Sequence, residues 1–136
     1  MGYQQTGNSD FLETGIKTLD FLIAQTFLNG IYAPIGQDGW HQKTGERRYF
    51  DQQPEDASAM ACALQIAYSV TGKESYHKLM LEAFNWFLGD NSLNQMVYDR
   101  ATGGCYDGVG DGQINLNQGA ESTTSYLLAR LAIQHS

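Results

Sequence analysis

Two short stretches set carboxylates beside amides: Gln52-Gln53-Pro54-Glu55-Asp56 and Asn117-Gln118-Gly119-Ala120-Glu121. Carboxylates a few ångströms apart can divide acid and base roles at a glycosidic bond, and amides can grip sugar hydroxyls. Asp56 and Glu121 are therefore candidate catalytic groups, and Gln52, Gln53, Glu55, Asn117 and Gln118 are candidate substrate-binding groups. The same residues also have a structural reading. Pro54 suits the first turn of a helix, Asp56 and Glu121 complement helix dipoles, and Gln53 and Gln118 cap helices or tie loops.

Aromatic rings fall in the segments before these stretches: Trp40, Tyr49 and Phe50 before the first, Tyr98 and Tyr106 before the second. A ring with a polar tip at a concave mouth stacks well on the apolar face of a sugar, which adds Trp40 and Tyr106 to the binding candidates. The alternative is that the rings form small cores for their own loops, and Phe50 fits that alternative better. A third pattern begins at Asp107, with Asp111, Gly112 and Asn115 following at spacings that resemble a twelve-position calcium loop. Val109 stands where an oxygen ligand belongs and Gln118 where a bidentate glutamate belongs, so Asp107, Asp111 and Asn115 make a poor cation site. His41, His77 and His135 are scattered, without partners at metal-ligand spacing. No GxGxxG, Walker or GxSxG element occurs, and no cofactor is expected.

The chain has 136 residues, 42% of them hydrophobic and 17% charged, a globular composition of one domain's size. A net charge of −7 repels a phosphate backbone, so nucleic acid is not an expected partner. The longest apolar stretches are helix-sized and interrupted by polar residues, and the first ten residues lack a charged start followed by an apolar block. Neither a membrane span nor a signal peptide is expected. Cys62 lies in an apolar run and Cys105 in a glycine-rich loop, without a second pair, which fits a reduced, cytoplasmic protein.

The elements that must position these groups are helical. Ser9 is a candidate N-cap for a first helix carrying Leu12, Ile16, Leu19, Ile23 and Phe27, with Gly30 as its stop. A loop or short hairpin with Thr44-Gly45 at its tip follows. Pro54 opens a second helix that ends at Gly72 and carries small residues on every side. A third, from about Glu74 to a stop at Gly89, is strongly amphipathic. After a long loop, a fourth begins near Gly119, with Ala120, Thr124, Leu127, Leu128 and Leu131 on its apolar face. The expected fold is all-α: antiparallel α/α hairpins with long ordered loops, forming part of an α/α toroid in which inner and outer helices alternate.

A weak internal repeat supports that organisation. Gln53 to Ser58 resembles Gln118 to Thr123 at an offset of 65 residues (118 − 53), and each copy follows an aromatic loop containing Thr-Gly. The repeated unit is loop, inner helix, outer helix. Residues 1–136 thus form a single α/α-hairpin domain, either a segment of a larger toroid or a piece that covers its inner face by oligomerising.

The stretches Phe50-Asp51-Gln52-Gln53-Pro54-Glu55, Phe84-Asn85-Trp86-Phe87-Leu88-Gly89, Tyr98-Asp99-Arg100-Ala101-Thr102-Gly103-Gly104-Cys105 and Asn117-Gln118-Gly119-Ala120-Glu121-Ser122-Thr123 resemble the C-terminal α/α domain of bacterial group 1 (family 4) glycosyltransferases. The similarity covers nearly all of residues 34–136 and implies a six-hairpin glycosidase-like toroid. The two nucleotide-binding lobes of such an enzyme are missing from the sequence, so the resemblance does not extend to transferase activity. It implies a carbohydrate-associated accessory domain whose partner is a glycan or a glycosyltransferase catalytic domain. Two alternatives stand beside it: a glycoside hydrolase-like or sugar-isomerase-like enzyme, and a structural or oligomerisation module.

Overall fold

The computed structural model describes residues 2–136. They form five helices and two short antiparallel strand pairs: α1 (Gly2–Thr6), α2 (Ser9–Thr26), β1 (Phe27–Leu28), β2 (Ile31–Tyr32), α3 (Pro54–Thr71), α4 (Glu74–Leu88), β3 (Gly108–Val109), β4 (Ile114–Asn115) and α5 (Ala120–Gln134). About half the chain is helical, as the apolar periodicity predicts, with a short α1 in addition to the four expected helices.

The start of α2 is capped by Asn8, whose side chain accepts the amide of Asp10 at 2.9 Å; Ser9 is the first helical residue rather than the cap. The helix also stops earlier than Gly30. Asn29 and Gly30 both have positive φ, 53° and 81°, and turn the chain so that Phe27 pairs with Tyr32 and Leu28 with Ile31. Asn-Gly between two apolar pairs is a strong hairpin signal, and here it overrides the helical spacing that runs through Phe27.

Helices α3 and α4 form an antiparallel hairpin joined by Gly72, at φ 67°, and Lys73. Pro54 occupies the first turn of α3, where a missing N–H costs nothing. The buried face of α3 carries Ala57, Ser58, Ala61 and Ala67 around Met60 and Leu64, and these small residues let α4 and α5 pack closely on either side. By contrast, the backbones of α4 and α5 approach each other at few points, and the two helices meet through aromatic side chains. Trp86, Phe87, Met80 and Leu64 are the largest side chains of the core.

Packing reverses the face expected for α5. Thr124, Leu127, Leu128 and Leu131 point to solvent, and Ala120 is exposed as well. The buried face is Ser122, Ser125, Tyr126 and Ala129. Tyr126 decides this: its ring stacks on Tyr98 with centroids 4.2 Å apart and meets Phe87 at 5.5 Å and Phe84 at 5.9 Å. An aromatic cluster of this kind outweighs three leucines that stay about half exposed.

Candidate functional site

A pocket of about 420 Å³ opens between α2, the first turns of α3 and the segment from Tyr32 to His41. Its walls are mainly apolar, with Leu22, Pro34 and Met60 among them, and its polar groups include Asp56, Gln37 and His41. Trp40, at φ 59°, holds its indole at the rim, 59% exposed. Gln37 Nε2 donates to Asp56 Oδ2 at 3.4 Å, so the amide and the carboxylate form a pair on the pocket wall. Burial raises the pKa of Asp56 above the ordinary aspartate value, and the Gln37 hydrogen bond opposes that rise in part.

The loop that carries Trp40 is tied down at its base. The amide of Gly36 donates to Arg48 O at 2.9 Å and that of Gln37 to Asp51 O at 3.0 Å. A side chain at Gly36 would collide with the Phe50 backbone, so this crossing requires glycine. The Arg47 guanidinium donates to Ala33 O and lies 5.0 Å from the centroid of the Tyr49 ring. Tyr32 is buried beneath the loop and donates its hydroxyl to the backbone oxygen of Asp56 at 3.1 Å.

Glu55 and Glu121 meet at the parallel starts of α3 and α5. Each is the second residue of its helix, because Gln53 and Gly119 are the N-caps. The geometric repeat is therefore 66 residues (121 − 55), one more than the offset of the matching stretches, and it pairs Glu55 rather than Asp56 with Glu121. Partial burial raises the pKa of Glu55, and Glu121, within hydrogen-bond reach of it, raises it further by charge. Asp56 lies on the α2 side of α3, in the Trp40 pocket.

The remaining candidates divide between structural positions and free surface. Gln52 is fully buried: its amide nitrogen donates to Tyr49 O and Ser92 Oγ, both at 2.8 Å, and its oxygen accepts the Trp86 indole N–H at 2.8 Å. Gln53 caps α3 with its backbone alone, and among the described residues its half-buried side chain has no hydrogen-bond partner. Gln118 donates to Asp99 Oδ2 at 2.9 Å and accepts from Thr102 Oγ1 at 2.9 Å, while the Tyr106 hydroxyl donates to the same Asp99 oxygen at 3.3 Å. Asn117 is exposed.

Sequence reasoning missed two residues that organise these regions. Asp99 gathers Ala101 N, Gln118 and Tyr106, and the backbone amide of Ala101 is the main cause of its lowered pKa. The Asp-x-x-Thr-Gly pattern at 99–103 is a turn signal that could have exposed it. For Gln37, placed against Asp56, the sequence carries no comparable signal.

The segment resembling a calcium loop folds as a hairpin. Gly108 pairs with Asn115 and Val109 with Ile114, and Asp107 Oδ1 accepts Gly119 N and Ser122 Oγ, both at 2.7 Å. Asp107 thus caps α5 instead of facing Asp111, which is exposed in the turn. Among the described residues, no three His, Cys, Asp or Glu side chains cluster as metal ligands would. Among the same residues, no helix is long and apolar enough to cross a membrane.

Neither a protein-family model nor a curated protein matches this chain.

Proposed function

We propose that this chain is a carbohydrate-associated accessory domain, related to the C-terminal toroid region of glycosyltransferases and without transferase activity of its own. The supporting observation is the Trp40 pocket: an exposed indole at the rim of an apolar cleft whose wall carries a carboxylate and an amide, Asp56 and Gln37. A sugar has the matching chemistry, an apolar ring face for the indole and hydroxyls for the carboxylate and amide. The toroid and a cytoplasmic location belong to the same proposal. They are supported by the α3–α4 hairpin, by the parallel α3 and α5, and by two cysteines that form no disulfide.

The hydrolase alternative has less support. Glycosidases hold their two carboxyl groups about 5–5.5 Å apart for retention or about 6.5–9.5 Å apart for inversion. The two acids that reading names open on different neighbours, Asp56 in the Trp40 pocket and Glu121 beside Glu55 at the start of α5.

Titration calorimetry against a panel of mono- and oligosaccharides tests the proposal, with indole fluorescence as a second readout. The chain has two tryptophans, and Trp86 is fully buried, so a ligand-induced blue shift reports on Trp40. Binding by the wild type and at least tenfold weaker binding by Trp40→Ala, at an unchanged melting temperature, is the expected result. A wild type that binds none of the panel overturns it. Turnover of glycosides that Glu121→Gln abolishes would instead favour the enzyme alternative.

A further inference from the structure

The interior of the Trp40 pocket is rich in open acceptors and poor in free donors. The Thr26 hydroxyl donates to Leu22 O at 2.8 Å, the Tyr32 hydroxyl to Asp56 O at 3.1 Å and the Gln37 amide to Asp56 Oδ2 at 3.4 Å. Asp56 Oδ1 and Gln37 Oε1, by contrast, accept no hydrogen bond among the described residues, and neither atom is sealed from solvent. The donors that remain are one N–H of Gln37 and, on the exposed rim, the rings of Trp40 and His41.

Charge in the pocket is one-sided as well. Asp56 is the one carboxylate among the residues that line it, and no lysine or arginine lines it. Among the described residues, no cation forms an ion pair with Asp56. Arg47, in the neighbouring loop, directs its guanidinium to Ala33 O and the Tyr49 ring instead. A partly buried carboxylate therefore stands without the counter-charge that such groups ordinarily have.

An ammonium group meets all of these features. It presents three donors and no acceptor, it neutralises the carboxylate, and the face of an indole attracts it through the ring quadrupole. We infer that the ligand of this pocket is an amino sugar whose free amine is protonated, its ammonium held by Asp56 and Gln37 beside the Trp40 indole; this rests on the carbohydrate reading proposed above. An N-acetyl group has the opposite chemistry, because it carries no charge and its carbonyl calls for a donor where the pocket offers acceptors.

Titration calorimetry, at a pH that keeps the amine protonated, compares glucosamine, N-acetylglucosamine, glucose and cyclohexylamine. The expected result is that glucosamine binds at least tenfold more tightly than glucose or N-acetylglucosamine, and that Asp56→Asn lowers its affinity to that of glucose at an undiminished melting temperature. Equal affinity of the wild type for glucosamine and glucose overturns the inference and leaves the carbohydrate reading standing. A preference for glucosamine that survives in Asp56→Asn also overturns it, since the diffuse field of a chain with net charge −7 would then be attracting the cation. Cyclohexylamine carries an ammonium without hydroxyls. If it binds as tightly as glucosamine and Asp56→Asn abolishes that binding, the ammonium site holds and the carbohydrate reading is overturned. A wild type that binds none of the four overturns both.

Discussion

The indole N–H of Trp86 donates to the side-chain oxygen of Gln52 at 2.8 Å, linking the last turn of α4 to the residue just before the cap of α3. Both side chains are fully buried. Backbone bonds between Gln52 and Val109, 2.9 Å in each direction, attach the β3–β4 hairpin to the same point. Three segments distant in sequence therefore converge on one glutamine, and they set how the entrance of α3 meets the rest of the fold.

This relationship predicts an asymmetric response to mutation. Trp86→Phe leaves a buried amide oxygen without its donor and should cost about 1–3 kcal/mol, the penalty of an unsatisfied buried acceptor. Gln52→Ala removes the acceptor together with the tethers to Tyr49 and Ser92, and should cost about 2–4 kcal/mol. Urea denaturation of both variants and of the double mutant measures the coupling, which should be about 0.5–3 kcal/mol. Strictly additive losses would mean that the bond contributes nothing of its own.

Asp107 carries the second prediction. Its Oδ1 accepts Gly119 N and Ser122 Oγ, and the N-cap residue of α5, Gly119, supplies no side-chain cap of its own. Asp107→Ala should destabilise the chain by about 1–2 kcal/mol, as loss of a helix cap does. Asp111→Ala, in the exposed turn of the same hairpin, should change stability by less than about 0.5 kcal/mol. A calcium site would reverse this pattern, with both variants weakened and the wild type stabilised by added calcium. Thermal melts with and without calcium therefore separate the two roles of the segment.

Most helix ends were legible because local chemistry marks them. Pro54, Gly72 and Gly89 act within a few residues, and tertiary packing does not displace them. Which face of α5 is buried was not legible, since the deciding contact is the stack of Tyr126 on Tyr98, 28 residues away, while the leucines supply a stronger periodic signal. The site shows the same division. That Glu55, Asp56 and Glu121 enter helices follows from their neighbours in sequence. That Asp56 turns toward Gln37 and Trp40 while Glu55 meets Glu121 depends on the one-residue difference between the repeat in sequence and in space. Gln52 read as a ligand group because glutamine is polar. Its burial depends on Trp86 and Ser92, which no local pattern connects to it.

Glu55 and Glu121 give the last prediction, a dependence of stability on pH. Partial burial raises Glu55 from its ordinary value of 4.5 in the folded chain, and Glu121 adds to the rise. A carboxyl raised on folding favours the folded state while protonated, so its contribution is fully present below the unfolded pKa and is lost as pH rises through the folded one. Asp56, raised chiefly by burial, acts in the same direction. Asp99, lowered chiefly by the Ala101 amide, acts oppositely: its contribution is present above the ordinary aspartate value and is lost as pH falls through the lowered one. The wild-type urea midpoint should therefore rise as pH falls from neutral toward the ordinary carboxylate range, before the loss at Asp99 begins below it. Glu55→Gln, which removes the like-charge contact, should be more stable than the wild type at neutral pH and should rise less on acidification. Asp56→Asn should remove a separate share of the slope, and the double variant should be the flattest of the set. A Glu55→Gln protein with the wild-type midpoint and the wild-type slope would mean that the two glutamates do not sense each other.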